Sequence, residues 1–305
     1  MRANVHSLRI VAATFCVFWL VGCGRESNVA TDDAKKALAE GNAAFDKHDF
    51  DLSIRCYTEA IRLDPTLAAA YAARGSASAY TDPDKAIADC TEAIRLKPDF
   101  AEAYDGRGMA HRIKRDFDKA IADCTEAIRL NPKHAAAYNG RGSANAYKGE
   151  PEKAIDDCTE AIRLDPSFAL AYAVRGSAYT SKREFDKAIA DYTEAIRLDS
   201  RLSAAYYNRA ETYMIIRDYA KCIPDCTEAI RLKPDYSEAY LIRGVAYLSE
   251  RDYDNTIADC NDVIRLNPKI PRAYFFRGLA YKNLGESEKA EADFAEAKRL
   301  GYAPK

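Results

Sequence analysis

The sequence predicts an all-α fold, a solenoid of eight stacked helical hairpins. Three observations predict it. The hexapeptide Thr-Glu-Ala-Ile-Arg-Leu begins at Thr58, Thr91, Thr125, Thr159, Thr193 and Thr227, first 33 and then 34 residues apart, and drifted copies beginning at Asn261 and Ala295 extend the register. A fixed period of this length marks stacked units, none of which can bury its apolar face alone. Within the third unit, Ala103, Tyr104, Gly108 and His111 keep the three-and-four spacing of one helix, and a turn falls near Arg115-Asp116. A second helix carries Ala120, Ile121, Cys124, Ala127, Ile128 and Leu130, and Pro132 ends it because proline lacks the N–H that a helix needs.

Counted on this period, repeat five has Tyr172, Gly176, Tyr179, Ala188, Tyr192 and Ala195 at repeat positions 4, 8, 11, 20, 24 and 27. The set resembles the tetratricopeptide repeat family, and it covers the whole chain after the N-terminal segment. The resemblance implies a right-handed superhelix of helix-turn-helix units whose concave groove, lined by the first helices, binds peptide or helix segments of partner proteins. Tyr stands at position 4 where the family has Trp, Ala210 replaces the glycine of repeat six, and Ser200 replaces a proline. The last of these is expected to leave its inter-repeat turn less fixed.

Residues 1–22 differ in kind from the rest. Arg2 and Arg9 precede an apolar run from Ile10 to Val21, too short to span a bilayer comfortably, so the segment reads as a signal peptide. Leu20-Val21-Gly22-Cys23 resembles a bacterial lipobox, which implies cleavage before Cys23 and a lipid on that cysteine. Residues 23–33 then read as a lipidated cysteine and polar tether; Gly24, rather than Asp, slightly favours an outer-membrane anchor facing the periplasm of a bacterial envelope.

The repeats follow as 34–67, 68–100, 101–134, 135–168, 169–202, 203–236, 237–270 and 271–304. Repeat one is atypical, with Ala37 where the others have tyrosine. Repeat two is one residue short, and Asp82-Pro83 there reads as an N-cap followed by proline at the first helical position, hence a tighter turn. Pro224 falls early in the second helix of repeat six, where a slight kink is expected. In repeat eight, Glu291 and Lys298 replace isoleucines at positions 21 and 28, so the face beyond it is expected to be a polar cap. The tyrosines at position 4, Tyr71 to Tyr274, are expected in the core.

Composition points away from several functions. Without the signal peptide the chain has 43 basic and 47 acidic side chains, with no basic stripe for nucleic acid. Cys90, Cys124, Cys158, Cys226 and Cys260 share position 24 with Tyr57, Tyr192 and Phe294, so they read as buried apolar residues and free thiols. Cys222 and Cys226 lie four apart on one helix, but no histidine has matching spacing, so neither a metal nor a cofactor is expected. The four histidines assemble into no catalytic set, and an enzyme is not expected.

Two sets of residues remain. Position 7 is Arg and position 23 is Asp in repeats two to eight; an antiparallel hairpin sets them side by side, and structural ion pairs are expected, as at Arg107–Asp123, Arg141–Asp157 and Arg175–Asp191. In the family, positions 2, 5, 9, 12 and 13 face the groove. Repeats four and five fill them with small residues, apart from Tyr147 and Leu170, whereas repeats six to eight supply Tyr207, Met214, Ile215, Leu241, Val245, Leu248, Phe275 and Leu279. The resemblance therefore implies a monomeric, non-catalytic scaffold, tethered to a membrane and similar in layout to tetratricopeptide lipoproteins that assist pilus or envelope assembly. A regulatory subunit of an enzyme encoded elsewhere is the alternative. The carboxylate clamp of cytosolic co-chaperones is absent, since Leu38, Asn42, Ala73, Glu102 and Gly106 occupy its positions.

Overall fold

A computed structural model describes residues 31–303, and among these there are sixteen helices and no strand. The signal peptide and Cys23 lie outside the described residues. The first helices of the repeats are α1 (31–46), α3 (Ala68–Ser78), α5 (Ala101–Ile113), α7 (Ala135–Tyr147), α9 (Ala169–Ser181), α11 (Ser203–Ile215), α13 (Ser237–Ser249) and α15 (Pro271–Asn283). The second helices are α2 (Phe50–Leu63), α4 (Pro83–Leu96), α6 (Phe117–Leu130), α8 (Pro151–Leu164), α10 (Phe185–Leu198), α12 (Tyr219–Leu232), α14 (Tyr253–Leu266) and α16 (Ser287–Arg299). The tether is shorter than expected, because the chain is already helical at Thr31; Asp32 and Asp33 suit the positive end of a helix dipole. No described helix is long and apolar enough to cross a membrane.

The described residues form two compact units, which divide between Ala144 and Asn145. In each, a first helix packs on its own second helix and on the first helix of the next repeat, while second helices do not touch one another. The first helices therefore form the inner layer of each unit. Close approach within a hairpin depends on small residues: a Cβ added to Gly176 would lie 2.8 Å from Cε1 of Tyr192. The alanines at position 3 of the first helices, Ala70, Ala103, Ala137, Ala171, Ala205, Ala239 and Ala273, are fully buried, and Ala103, Ala205 and Ala273 pack on the repeat before their own.

The turns have a rule that the sequence reading missed. Position 15 has positive φ at His48, Arg115, Gly149, Arg183, Arg217, Arg251 and Gly285. Each such residue ends a first helix in a Schellman-type turn; after α5, Asp116 N–H donates to His111 C=O at 2.9 Å and Arg115 N–H to Arg112 C=O at 2.9 Å. Repeat two lacks this residue. Its α3 is 11 residues long, and Asp82 accepts from Lys85 N–H at 3.0 Å as the N-cap of α4. The turn at Ser200 is as fixed as its neighbours: Asp199 accepts from Arg201 N–H at 3.0 Å, just as Asp165 accepts from Ser167 N–H at 2.9 Å. The aspartate side chain holds the turn, with or without proline.

The recurrent hexapeptide is explained by this frame. Its alanine is fully buried, as at Ala93 and Ala195. Its glutamate and arginine pair on the exposed face, as at Glu126–Arg129 (2.6 Å), where such pairs contribute little. Its threonine receives the position-7 arginine of the following repeat, as when Arg175 Nη1 donates to Thr159 Oγ1 at 3.2 Å.

Candidate partner-binding surface

In repeats two, three, five, six, seven and eight the position-7 arginine reaches the position-23 aspartate through two parallel hydrogen bonds. Arg107 Nε and Nη2 lie 2.9 and 2.7 Å from the Asp123 carboxylate, and Arg175 Nε and Nη2 both lie 2.8 Å from Asp191. The carboxylate raises each guanidinium's affinity for its proton, working against burial. Arg141 donates to Thr125 Oγ1 at 3.3 Å in the first unit, and Asp157 accepts from Asn145 Nδ2 at 3.2 Å in the second. The position-4 tyrosines are half-buried rather than core. They lie under these arginines: the Arg107 guanidinium is 5.4 Å from the Tyr104 ring centre, and that of Arg175 is 5.5 Å from Tyr172.

The position-24 slot holds thiols and rings alike. Cys90, Cys124, Cys158, Cys226 and Cys260 are buried, as are Tyr57 and Tyr192. Burial pushes the Cys90 thiol up to about 12. Cys222 joins them, its sulfur 3.9 Å from that of Cys226, in a cluster with Ala210 and Ala246.

The expected groove residues divide into three groups. Leu241 is a correction: it is 8% exposed and packs with Val263, Ala273 and Ile270, so it belongs to the core between α13, α14 and α15. Tyr207 and Phe275 are half-covered by rings, with Tyr236 at 4.8 Å from Tyr207, and Tyr302 at 4.5 Å and Phe294 at 5.7 Å from Phe275. Met214, Val245, Leu248 and Leu279 are half-buried, and Met214 leans on the Cys222–Cys226 cluster. Ile215 is 47% exposed, and Ile216 beside it, which the sequence reading missed, is also open. Leu170 (49%) and Tyr147 (63%) are the other exposed large apolar side chains on the first helices of the second unit.

One contact accounts for the cover on Tyr207 and Leu241. In repeats one, two, five, six and seven the last residue packs with position 5 of that repeat: Leu67 and Leu38 on the same alanines, Phe100 beside Ala72, Leu202 beside Ala173, Tyr236 on Tyr207 and Ile270 beside Leu241. Position 5 is thereby partly withdrawn from the groove. The exceptional pair is His134 and Asp105, with Nε2 3.2 Å from Oδ2. Asp105 raises the proton affinity of His134 above the usual histidine range, against the effect of burial. Glu211, one helical turn beyond Tyr207, is accessible yet hemmed in, and desolvation holds its carboxyl above the usual range.

The last repeat closes differently. Gly301 takes φ +92°, Tyr302 N–H donates to Ala297 C=O at 2.9 Å, and Gly301 N–H donates to Lys298 C=O at 3.0 Å. This Schellman motif turns Tyr302 back onto Phe275. Beside it lies a cavity of about 750 Å³ lined by Phe275, Leu279, Phe294 and Ala297, with Lys282 and Lys298 among its walls. The polar cap expected here is incomplete: Glu291 and Lys298 are exposed, but the floor between α15 and α16 is apolar.

Family models described as tetratricopeptide repeat match residues 101–134, 135–168, 203–236, 237–270, 271–300 and 38–99, and one described as TPR repeat matches 176–214. No match is found among curated proteins. The solved structure of the APC/C hetero-tetramer Cut9-Hcn1 is similar, with a TM-score of 0.70, 17% identity, 87% of this chain covered and 52% of that one. This chain thus spans about half the length of that neighbour. A tetratricopeptide repeat protein from Parabacteroides merdae superposes with a TM-score of 0.58 at 15% identity, covering 82% of this chain and 99% of its own. The Pseudomonas aeruginosa pilF structure gives 0.56 at 15% identity, covering 69% and 96%. At these identities the likeness is one of fold.

Proposed function

Because the chain belongs to the tetratricopeptide repeat family, whose fold presents helical hairpins to protein partners, we propose that it is a non-catalytic scaffold that holds a peptide or helix segment of a partner protein against the inner layer of its second unit. The observation that carries this reading is the apolar surface open on that layer, where Leu170 on α9 and Ile215 on α11 are about half exposed and Met214 and Leu248 are half-buried. Isolated exposed aliphatics are ordinary, but a run along successive first helices is characteristic of a binding surface. Ile215→Asp and Leu170→Asp test it by co-purification from solubilised membranes. Each should reduce capture of the partner at least tenfold while shifting the melting temperature by no more than a few degrees, because both side chains are at the surface. Undiminished capture by both variants would overturn the reading.

The scaffold is, in this proposal, lipid-anchored through Cys23 in a bacterial envelope and faces the periplasm, where it serves envelope or pilus assembly. The motif ending at Cys23 and the glycine after it support the anchor and its preference for the outer membrane. Cleavage there removes Trp19, the only tryptophan. Protein purified from its native membrane should then emit as tyrosine alone, and Cys23→Ala should remain unprocessed. Tryptophan emission from the membrane-purified chain would exclude cleavage.

A further inference from the structure

The open floor between α15 and α16 has internal counterparts that show what covers it. In repeat seven, Leu241 and Val263 are covered by the next first helix through Ala273. In repeat five, Ala173 and Ala195 are covered through Ala205. Every covering helix in this unit brings a fully buried alanine at its third position and, seven residues later, a small buried one: Ala178, Thr212, Ala246 or Ala280. Small side chains are required because the helix lies directly on the floor.

The last floor differs from the others by a charge at three places. At one of them, position 21, Ile189, Ile223 and Ile257 give way to Glu291, which is exposed and does not line the cavity. Position 28 is Ile196, Ile230 and Ile264 in the preceding three repeats but Lys298 here, and position 12 is Thr180, Met214 and Leu248 but Lys282 here. Both lysines are exposed, and neither has an ion-pair partner among the described residues. The floor itself remains apolar, with half-buried Phe275, Leu279 and Phe294 around the cavity. An apolar floor flanked by two unpaired ammonium groups complements an acidic amphipathic helix.

We propose that this floor docks an α-helix of a partner protein that bears alanine, glycine or serine at two positions seven apart and aspartate or glutamate flanking that stripe, seated as a following first helix would be. The proposal deepens the scaffold reading and rests on it only in taking the ligand to be a protein segment; the surface is distinct from the ground around Ile215 and Leu170. The guest needs no counterpart of the position-7 arginine, because Ala295 stands where earlier repeats offer a threonine or asparagine.

The test uses the full chain and two synthetic helical peptides of equal length with alanine at positions 3, 4, 7, 10, 11 and 14, one with glutamate and one with lysine at the remaining positions. Fluorescence anisotropy should show the glutamate peptide binding at least tenfold more tightly than the lysine peptide. Lys282→Glu with Lys298→Glu should invert that preference; both residues are exposed, so the double variant should fold. Ile215→Asp should leave glutamate-peptide binding unchanged even if it abolishes capture of the native partner, so failure of the groove and failure of this floor are separable. Equal binding of the two peptides, absence of binding by either, or an unaltered preference in the double variant would overturn the proposal. So would concentration-dependent self-association of the wild-type chain in sedimentation that the double variant abolishes, because the occupant would then be a second copy.

Discussion

Two regions of this molecule solve the same packing problem with different chemistry. In the first unit the end of repeat three is pinned to position 5 by His134 on Asp105, an ion pair when the imidazole is protonated; in the second the end of repeat six is pinned by rings, Tyr236 on Tyr207. Around both, the arginine–aspartate pairs, buried alanines and turns are alike. The difference shows that the repeat fixes a backbone and leaves this slot to any complementary pair: large on small, ring on ring, or base on acid. It also concentrates titration in one place. All four histidines precede Ala144, so the second unit has none.

The largest expected effect probes what the units share. Asp123→Ala and Asp191→Ala each strand a largely buried guanidinium, and each should cost about 3 kcal/mol in urea unfolding, the low end of the range for breaking a buried pair because the arginines keep some solvent contact. Markedly unequal losses would mean that the common frame is not equally supported in the two units. Next comes the aromatic pin. Tyr207→Ala should cost about 2 kcal/mol, below the core range because the ring is half-buried, and it should do so at any pH between 6 and 8.

The charged pin should behave otherwise. His134→Leu leaves Asp105 facing an apolar side chain and should cost about 1 kcal/mol; adding Asp105→Ala recreates the apolar pairs of repeats two and five and should recover most of it. Since the folded pKa of His134 is raised, its contribution is fully present below the unfolded value of about 6.5 and is lost as pH rises through the folded value. The stability gap between wild type and His134→Leu should therefore narrow with rising pH. Burial lowers the pKa of His111 and gives the opposite slope, but it is present in both proteins and cancels. A gap that widens with pH would show that the His134–Asp105 contact is misassigned. The smallest effect concerns the turns: Arg115→Gly and Arg183→Gly relieve a left-handed backbone but forfeit arginine contacts to Phe117 and Phe185, for a net gain of about 0.5 kcal/mol in thermal unfolding.

The period, the hairpins, the arginine–aspartate register and the shared cysteine slot were legible because each is a pattern within one repeat, read many times over. What was hidden depends on contacts between the two ends of a repeat. Leu241 reads as a groove residue from its helical position and becomes core only when Ile270 folds back on it. The column holding Leu67, Phe100, Leu202, Tyr236 and Ile270 carried the signal, as did its one histidine, but its meaning needs the position-5 partner. Arg115 and Arg183 gave no sign of left-handed backbone; Gly149 and Gly285 at the same position did. The half-exposure of the position-4 tyrosines follows from the arginines that lie over them, and periodicity alone does not distinguish a ring beneath a guanidinium from one in a core.

The arginine that bonds its own aspartate also reaches a threonine in the repeat before it. Each hairpin is thus held partly by the next, like a hinge pin shared by two leaves. The sequence of pins runs out where Glu40 offers no guanidinium and Ala295 offers no hydroxyl. Under tension between its termini, a unit built this way has no single weak plane; loss of an end hairpin unpins only its neighbour, so extension proceeds by peeling from the ends, one hairpin per step.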